Sequence, residues 1–98
     1  MTSVVRLTDE SSGHGCFPPT TLVFTPVQKT FINGLKAGVV GSQYSTHTCG
    51  DTVHPQPSRT ISSGSSKTFI EGHAVARLGD PIGCGDVCAQ GSEDTFIG

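Results

Sequence analysis

The sequence has no tryptophan, one tyrosine and one methionine, and 14% of its residues are charged. A chain of 98 residues with so few large side chains builds one small core and leaves much of its surface wet, so staples beyond apolar packing are expected. An excess of base is also missing. The formal charge is -2, which argues against a nucleic-acid surface and against a patch for anionic membranes. No apolar run approaches the roughly 20 residues that a membrane helix requires. The opening MTSVVRLTDESS has neither the basic nor the hydrophobic region of a secretion signal, so synthesis and folding in the cytoplasm is expected. In that setting four cysteines suit thiols or metal ligands better than a disulfide framework, although their even count leaves disulfides open. Nucleophile elbows, phosphate loops and paired-carboxylate signatures are absent too, so catalysis has little support.

What the sequence has is glycine, serine and threonine, with almost no sustained 3.6-residue apolar period. It reads as a small, irregular all-β fold of short hairpins and loops, one domain over 1–98. KTFINGLKAGVVGS at 29–42 returns as KTFIEGHAVARLGD at 67–80, and DTFIG closes the chain. Lys29 to Ile32 is a strand, Asn33-Gly34 the pair that favours a type I′ turn, and Leu35 to Val40 the return strand; Lys67 to Ile70, Glu71-Gly72 and Ala74 to Leu78 repeat the pattern. The return strand missing after Gly98 is found at the other end, where Val4-Val5-Arg6-Leu7-Thr8-Asp9 parallels Val75-Ala76-Arg77-Leu78-Gly79-Asp80. Gly98 to Asp9 through the chain ends is nine residues, against eight from Gly34 to Ser42 and from Gly72 to Asp80. A closed, roughly threefold body is expected, its termini completing one hairpin and its closure removing free strand edges. Phe31, Phe69 and Phe96, one per unit, are candidates for core or base-facing aromatics, with the core favoured in a chain so poor in aromatics.

With Asp9, Ser42 and Asp80 equivalent, His14 and His47 lie five residues beyond the first two and Cys84 four beyond the third. A threefold body draws such positions toward one axis, and His54, in the long loop after the second unit, supplies a fourth ligand. Three imidazoles and a thiolate complete a tetrahedral zinc shell that ties together loops with little core of their own. Cys49 rivals His47. Cys84 and Cys88 form a C-x-x-x-C pair that could combine with Cys16 or Cys49 in a mostly thiolate site; otherwise Cys16 and Cys88 read as small buried hydrophobes. His73 reads as a solvent-facing strand residue. An open zinc site with Asp51 or Asp86 as general base would instead make a small zinc hydrolase, and cysteine pairing would make a disulfide-stapled binding module.

Together these features resemble the PAAR-repeat proteins, which cap the central spike of contractile injection machines. The resemblance rests on His73-Ala74-Val75-Ala76-Arg77-Leu78-Gly79-Asp80, a degenerate Pro-Ala-Ala-Arg block, with Ser63-Gly64-Ser65, Thr68-Phe69-Ile70 and Gly72 before it. Arg6-Leu7-Thr8-Asp9, Ser12-Gly13-His14-Gly15 and the closing Thr95-Phe96-Ile97-Gly98 extend it over essentially the whole chain. His73 stands where the family often has proline; Ala37 to Val40 lacks the arginine, and Ser42 replaces the aspartate. The resemblance implies a cone-shaped, non-enzymatic tip with one structural zinc on His14, His47, His54 and Cys84. It also implies a base seated on a trimeric β-helical spike, one chain per trimer, with transient contact with a target cell's outer membrane. The place implied is a phage tail baseplate or a type VI secretion spike, with a protein monomeric by itself; a chain that begins and ends within the repeat is expected to carry no appended toxin.

Overall fold

The computed structural model describes residues 2–98. Its strands are β1 (Thr2–Ser3), β2 (Leu22–Phe24), β3 (Phe31–Ile32), β4 (Leu35–Lys36), β5 (Gln43–Tyr44), β6 (His47–Cys49), β7 (Thr52–His54), β8 (Phe69–Ile70), β9 (His73–Ala74) and β10 (Phe96–Ile97). All pair antiparallel, two by two, and one 3₁₀ turn spans Gln56–Ser58. No α-helix occurs among the described residues, and the protein is all-β.

The repeats form β3–β4 across Asn33-Gly34 and β8–β9 across Glu71-Gly72. Both central residues have positive φ (56° and 82°, 52° and 83°), as a type I′ turn requires. The chain ends pair as β1–β10, with Thr2 opposite Ile97. This register corresponds to Ile32 opposite Leu35 and Ile70 opposite His73, so Gly98 stands where Asn33 and Glu71 do. From those positions to Ser42, Asp80 and Asp9 the count is nine residues every time. The one-residue mismatch expected from the sequence came from aligning Gly98 with the second turn residue instead of the first.

The return strands are shorter than expected because the backbone leaves its own hairpin to pair with the neighbouring unit. Isolated bridges Val4–Arg77, Arg6–Ala37 and Val39–Val75 make those junctions. Between them lies a closed ring of hydrogen bonds. Val5 N–H donates to Ala76 O (3.0 Å), Ala76 N–H to Gly38 O (3.0 Å) and Gly38 N–H to Val5 O (2.7 Å). All three residues are buried, so each bond is shielded from competing water. The principal extents, 38 × 24 × 23 Å, give one long axis and two near-equal short ones, as expected of a body closed about an axis.

The same acceptor role recurs in each unit. Asp9, Ser42 and Asp80 accept the amide N–H of Arg6, Val39 and Arg77 at 2.9, 3.0 and 2.6 Å. In two units the arginine side chain also grips the carboxylate. The middle unit changes both partners at once. Val39 is fully buried with Val27 and Ala37, so a carboxylate at 42 would be buried without a cation, whereas the Ser42 hydroxyl accepts the bond uncharged.

The main core is Val5, Leu22, Tyr44, Ile61, Ala76, Ile82 and Cys88. The favoured core placement of the phenylalanines is corrected: Phe31, Phe69 and Phe96 are 55%, 59% and 44% exposed. Adjacent strand residues face opposite ways, and it is the neighbouring Ile32, Ile70 and Ile97 that are half-buried, which turns each ring outward.

After each acceptor the chain makes an excursion and returns to the core. Leu22, Ile61 and Cys88 donate back to the carbonyls of Asp9, Ser42 and Asp80, all at 2.9 Å. Residues 10–21, 43–60 and 81–87 are therefore three loops of unequal length closed at their necks by the same hydrogen bond. His14, His47, His54 and Cys84 all lie on them.

Candidate metal centre

The first excursion contains a tight hairpin in which His14 and Phe17 exchange backbone hydrogen bonds (3.1 and 2.9 Å) around Gly15-Cys16. In the second, the expected loop is folded into the β6–β7 hairpin, which places His47 directly opposite His54. Its turn, Gly50-Asp51, holds Asp51 exposed. The third is bridged at its base by Pro81–Val87 and carries Cys84 and Asp86.

These hairpins bring His14, His47 and Cys84 together with Asp86, and set His54 against His47 at the side of that group. His47 Nε2 lies 3.0 Å from His54 Nδ1 and 3.9 Å from Cys84 Sγ. The His14 ring centroid is 5.1 Å from that of His47 and 5.2 Å from that of His54. One ligand atom from each of His14, His47, Cys84 and Asp86 lies within 4.8 Å of the others. Nitrogen and sulfur ligands on a tetrahedral zinc are roughly 3.3–3.6 Å apart, given bonds of about 2.05 and 2.3 Å, and the two His47 separations, 3.0 and 3.9 Å, fall on either side of that range. His47 Nδ1 donates to Pro18 O (3.0 Å), which leaves Nε2 with its lone pair toward Cys84 and His54. Burial depresses the His47 pKa, which favours the neutral ring that a metal needs.

Asp86 is fully buried and its oxygens are committed. Oδ1 contacts His14 Nδ1, while Oδ2 takes Arg59 Nη2 and the Gly13 amide (3.1 Å). Burial opposes its ionisation, but hydrogen bonds from Arg59 and His14 outweigh burial and hold Asp86 at about 2. Arg59, with no measurable exposure, also donates to Ser45 O (2.7 Å), Ser11 Oγ (3.0 Å) and Thr20 Oγ1. The guanidinium thus joins residues of all three excursions and, through Asp86, orients His14. An Asp86–His14 contact through Nδ1 leaves Nε2 free for a metal, the usual carboxylate–imidazole arrangement around zinc.

Sequence reasoning missed Arg59 and Phe17. Phe17 stacks on His54 with centroids 4.0 Å apart and leans on His47 (4.7 Å) and His14 (4.9 Å), packing beside all three imidazoles. Its position three residues after His14 was the available signal. Nothing around Arg59, in Gln-Pro-Ser-Arg-Thr, marked it as buried.

The cysteines require corrections. Cys16 is exposed, and it forms a disulfide with Cys49 across a Cα separation of 5.4 Å. The preference for four free or metal-bound thiols, the buried reading of Cys16 and the candidacy of Cys49 as a ligand all yield to that bond. Two tight turns, each two residues from a histidine, bring the sulfurs together. Cys84 and Cys88 carry free thiols. Cys88 belongs to the core, where burial raises its pKa to about 12, so it is no partner for Cys84 in a thiolate pair. His73 is half-buried on β9 and lies outside the cluster.

A family model described as PAAR motif matches residues 13–90. The matched span holds His14, His47, His54 and Cys84 together with the β3–β4 and β8–β9 hairpins. Comparison with curated proteins gives no match.

Proposed function

We propose, since this chain belongs to the PAAR-motif family, that residues 1–98 act as one domain forming the tip of the central spike of a contractile injection machine, in a phage tail or a type VI secretion system. The observation that carries this reading is one exposed phenylalanine per unit, Phe31, Phe69 and Phe96, on three equivalent hairpins of a single closed chain. Three symmetry-related apolar knobs suit a partner with threefold symmetry, each subunit meeting a similar patch. A trimeric β-helical spike capped by one chain is that partner, and the histidine-bearing excursions form the part driven against the target membrane.

Zinc is the metal that fits the donor set, with His14, His47, His54 and Cys84 as its ligands and Asp86 behind His14 as an outer partner. Bound there, it would supply no chemistry beyond a cross-link between the three excursions. Four protein ligands leave no position for a substrate, and Asp86, engaged with Arg59, His14 and Gly13, has no oxygen to spare as a general base. The role is therefore structural, without catalysis.

The test is to mix the purified chain with a trimeric β-helical spike fragment and measure mass and metal. One chain per trimer and one zinc per chain are expected. Replacing Phe31, Phe69 and Phe96 together with serine should abolish the complex while leaving the melting temperature of the free chain nearly unchanged. Three chains per trimer, or undiminished binding by the triple variant, would overturn the docking geometry.

A further inference from the structure

The disulfide lies on the excursions and not on the three phenylalanine-bearing hairpins, and its placement is specific. Cys16 occupies the turn of the hairpin that presents His14, and Cys49 ends the strand that presents His47. The bond therefore joins the two ligand-bearing hairpins at their tips, two residues from a histidine on either side, and closes a loop with a sequence separation of 33. Cys16 is exposed and Cys49 half-buried, so small thiols and disulfides reach the pair from solvent. Cys88, 1% exposed and with its thiol pushed up to about 12, is shielded from the same exchange.

We propose that Cys16–Cys49 is a redox-operated lock on the metal centre: oxidation fixes the first two excursions around the bound metal, and reduction opens a path for it to leave. The proposal rests on the reading of His14, His47, His54 and Cys84 as a metal site. Two effects act in the same direction. With the bond formed, His14 and His47 cannot separate far enough to release a metal one ligand at a time. With the bond reduced, the hairpins move independently and two new thiols appear beside the ligands, competing for a soft metal and drawing it out of its shell. Oxidation thus also removes the rival thiols and leaves Cys84 as the sulfur facing the histidines.

The chemistry balances as two thiol–disulfide exchanges. One protein thiolate attacks an oxidised low-molecular-weight disulfide, such as oxidised glutathione, forming a mixed disulfide and releasing one thiol. The second cysteine displaces the other thiol, closing Cys16–Cys49. Two electrons and two protons pass from the protein thiols to the small disulfide, which becomes two thiols. A chain folded with its metal in a reducing compartment would be sealed on reaching an oxidising one.

The experiment uses the full chain loaded with zinc and prepared in two forms, oxidised with glutathione disulfide or reduced with a phosphine that carries no thiol. Free thiols are counted in denaturant with chelator present, and zinc transfer to a chromogenic chelator is followed in time. The oxidised form should show two thiols and the reduced form four, with zinc transfer at least tenfold faster after reduction. Cys16→Ser/Cys49→Ser, which frees the hairpins without adding thiols, should transfer zinc faster than the oxidised form and at one rate whichever treatment it receives. One zinc per chain with equal transfer rates in the two forms would overturn the lock while sparing the metal site. Absence of zinc from both forms would overturn the metal site and the lock with it. Four thiols after glutathione treatment would show that the pair does not close, and would overturn the lock alone.

Discussion

The repeated body and the three excursions are held together by different means. In the body the same bonds occur in each unit: the ring through Val5, Gly38 and Ala76, the acceptors Asp9, Ser42 and Asp80, and the necks at Leu22, Ile61 and Cys88. Its stability is divided among many equivalent, modest contributions of about 1 kcal/mol each. The excursions repeat nothing and contribute little beyond Tyr44 and Ile82 to the core. A few singular devices organise them: the histidine–cysteine cluster, the Arg59–Asp86 pair and the Cys16–Cys49 bond. Redundancy in one part and concentration in the other predict opposite responses to single changes.

The largest effect is expected from metal removal. Cys84→Ser or His14→Ala should lose zinc and more than roughly 4 kcal/mol, on the order of 20 °C in Tm for a domain this size. Hydrogen exchange separates the two regions. Amides of 10–21, 43–60 and 81–87 should lose protection on chelation, while those of Val5, Gly38 and Ala76 stay the slowest in the chain. His73→Ala, outside the cluster, should retain zinc and its melting temperature. Uniform loss of protection over body and excursions would show that the two regions are one cooperative unit.

Next come two ion pairs, Arg59–Asp86 among the excursions and Arg6–Asp9 in the body. Arg59→Met leaves Asp86 buried without its cation and should cost about 3–5 kcal/mol. In the body, Arg6 keeps some contact with solvent but Asp9 is buried, so Arg6→Val alone should cost about 2–3 kcal/mol. Adding Asp9→Ser recreates the Val39–Ser42 solution of the middle unit and should recover most of that loss, because the serine still accepts the backbone amide. Denaturant unfolding of the single and double variants reads both values. An Arg6→Val/Asp9→Ser double variant weaker than the sum of its singles would show that the middle unit's exchange depends on Val27 and Ala37 around it.

The same division decides how much could be read from the sequence. The body was legible because its information is local and repeated: the Thr-Phe-Ile words occur three times, and the glycine turns at Gly34 and Gly72 and the paired Arg and Asp twice each. Even the split unit could be assembled by counting through Gly98. Three of the four proposed ligands come from that frame, His14, His47 and Cys84 lying four or five residues after an equivalent acceptor, whereas His54 lies twelve after Ser42 and is outside it. Arg59, Phe17 and the Cys16–Cys49 bond occur once each, and long-range packing of unrelated loops puts them in place. No local pattern encodes that. The phenylalanines were misjudged for another reason: scarcity of aromatics was weighed above strand alternation, which had already assigned the inward positions to Ile32, Ile70 and Ile97.

The smallest effect tests the equivalence of the units at one torsion angle. Thr8, Gly41 and Gly79 occupy corresponding positions just before the acceptors, with φ of 79°, 99° and 90°. A β-branched residue is strained in this left-handed region, and Thr8 is exposed, with little packing to offset the strain. Thr8→Gly relieves the strain and loses some chain entropy, for a net stabilisation of about 0.5–1 kcal/mol. Gly79→Thr probes the same angle in reverse. A Cβ there meets nothing within 4 Å, so its expected cost of about 1–2 kcal/mol is backbone strain without a clash. Thermal unfolding should therefore raise Tm for Thr8→Gly and lower it for Gly79→Thr. A lower Tm for Thr8→Gly would mean that the terminal unit, closed by pairing instead of by a continuous turn, holds this position differently from the other two.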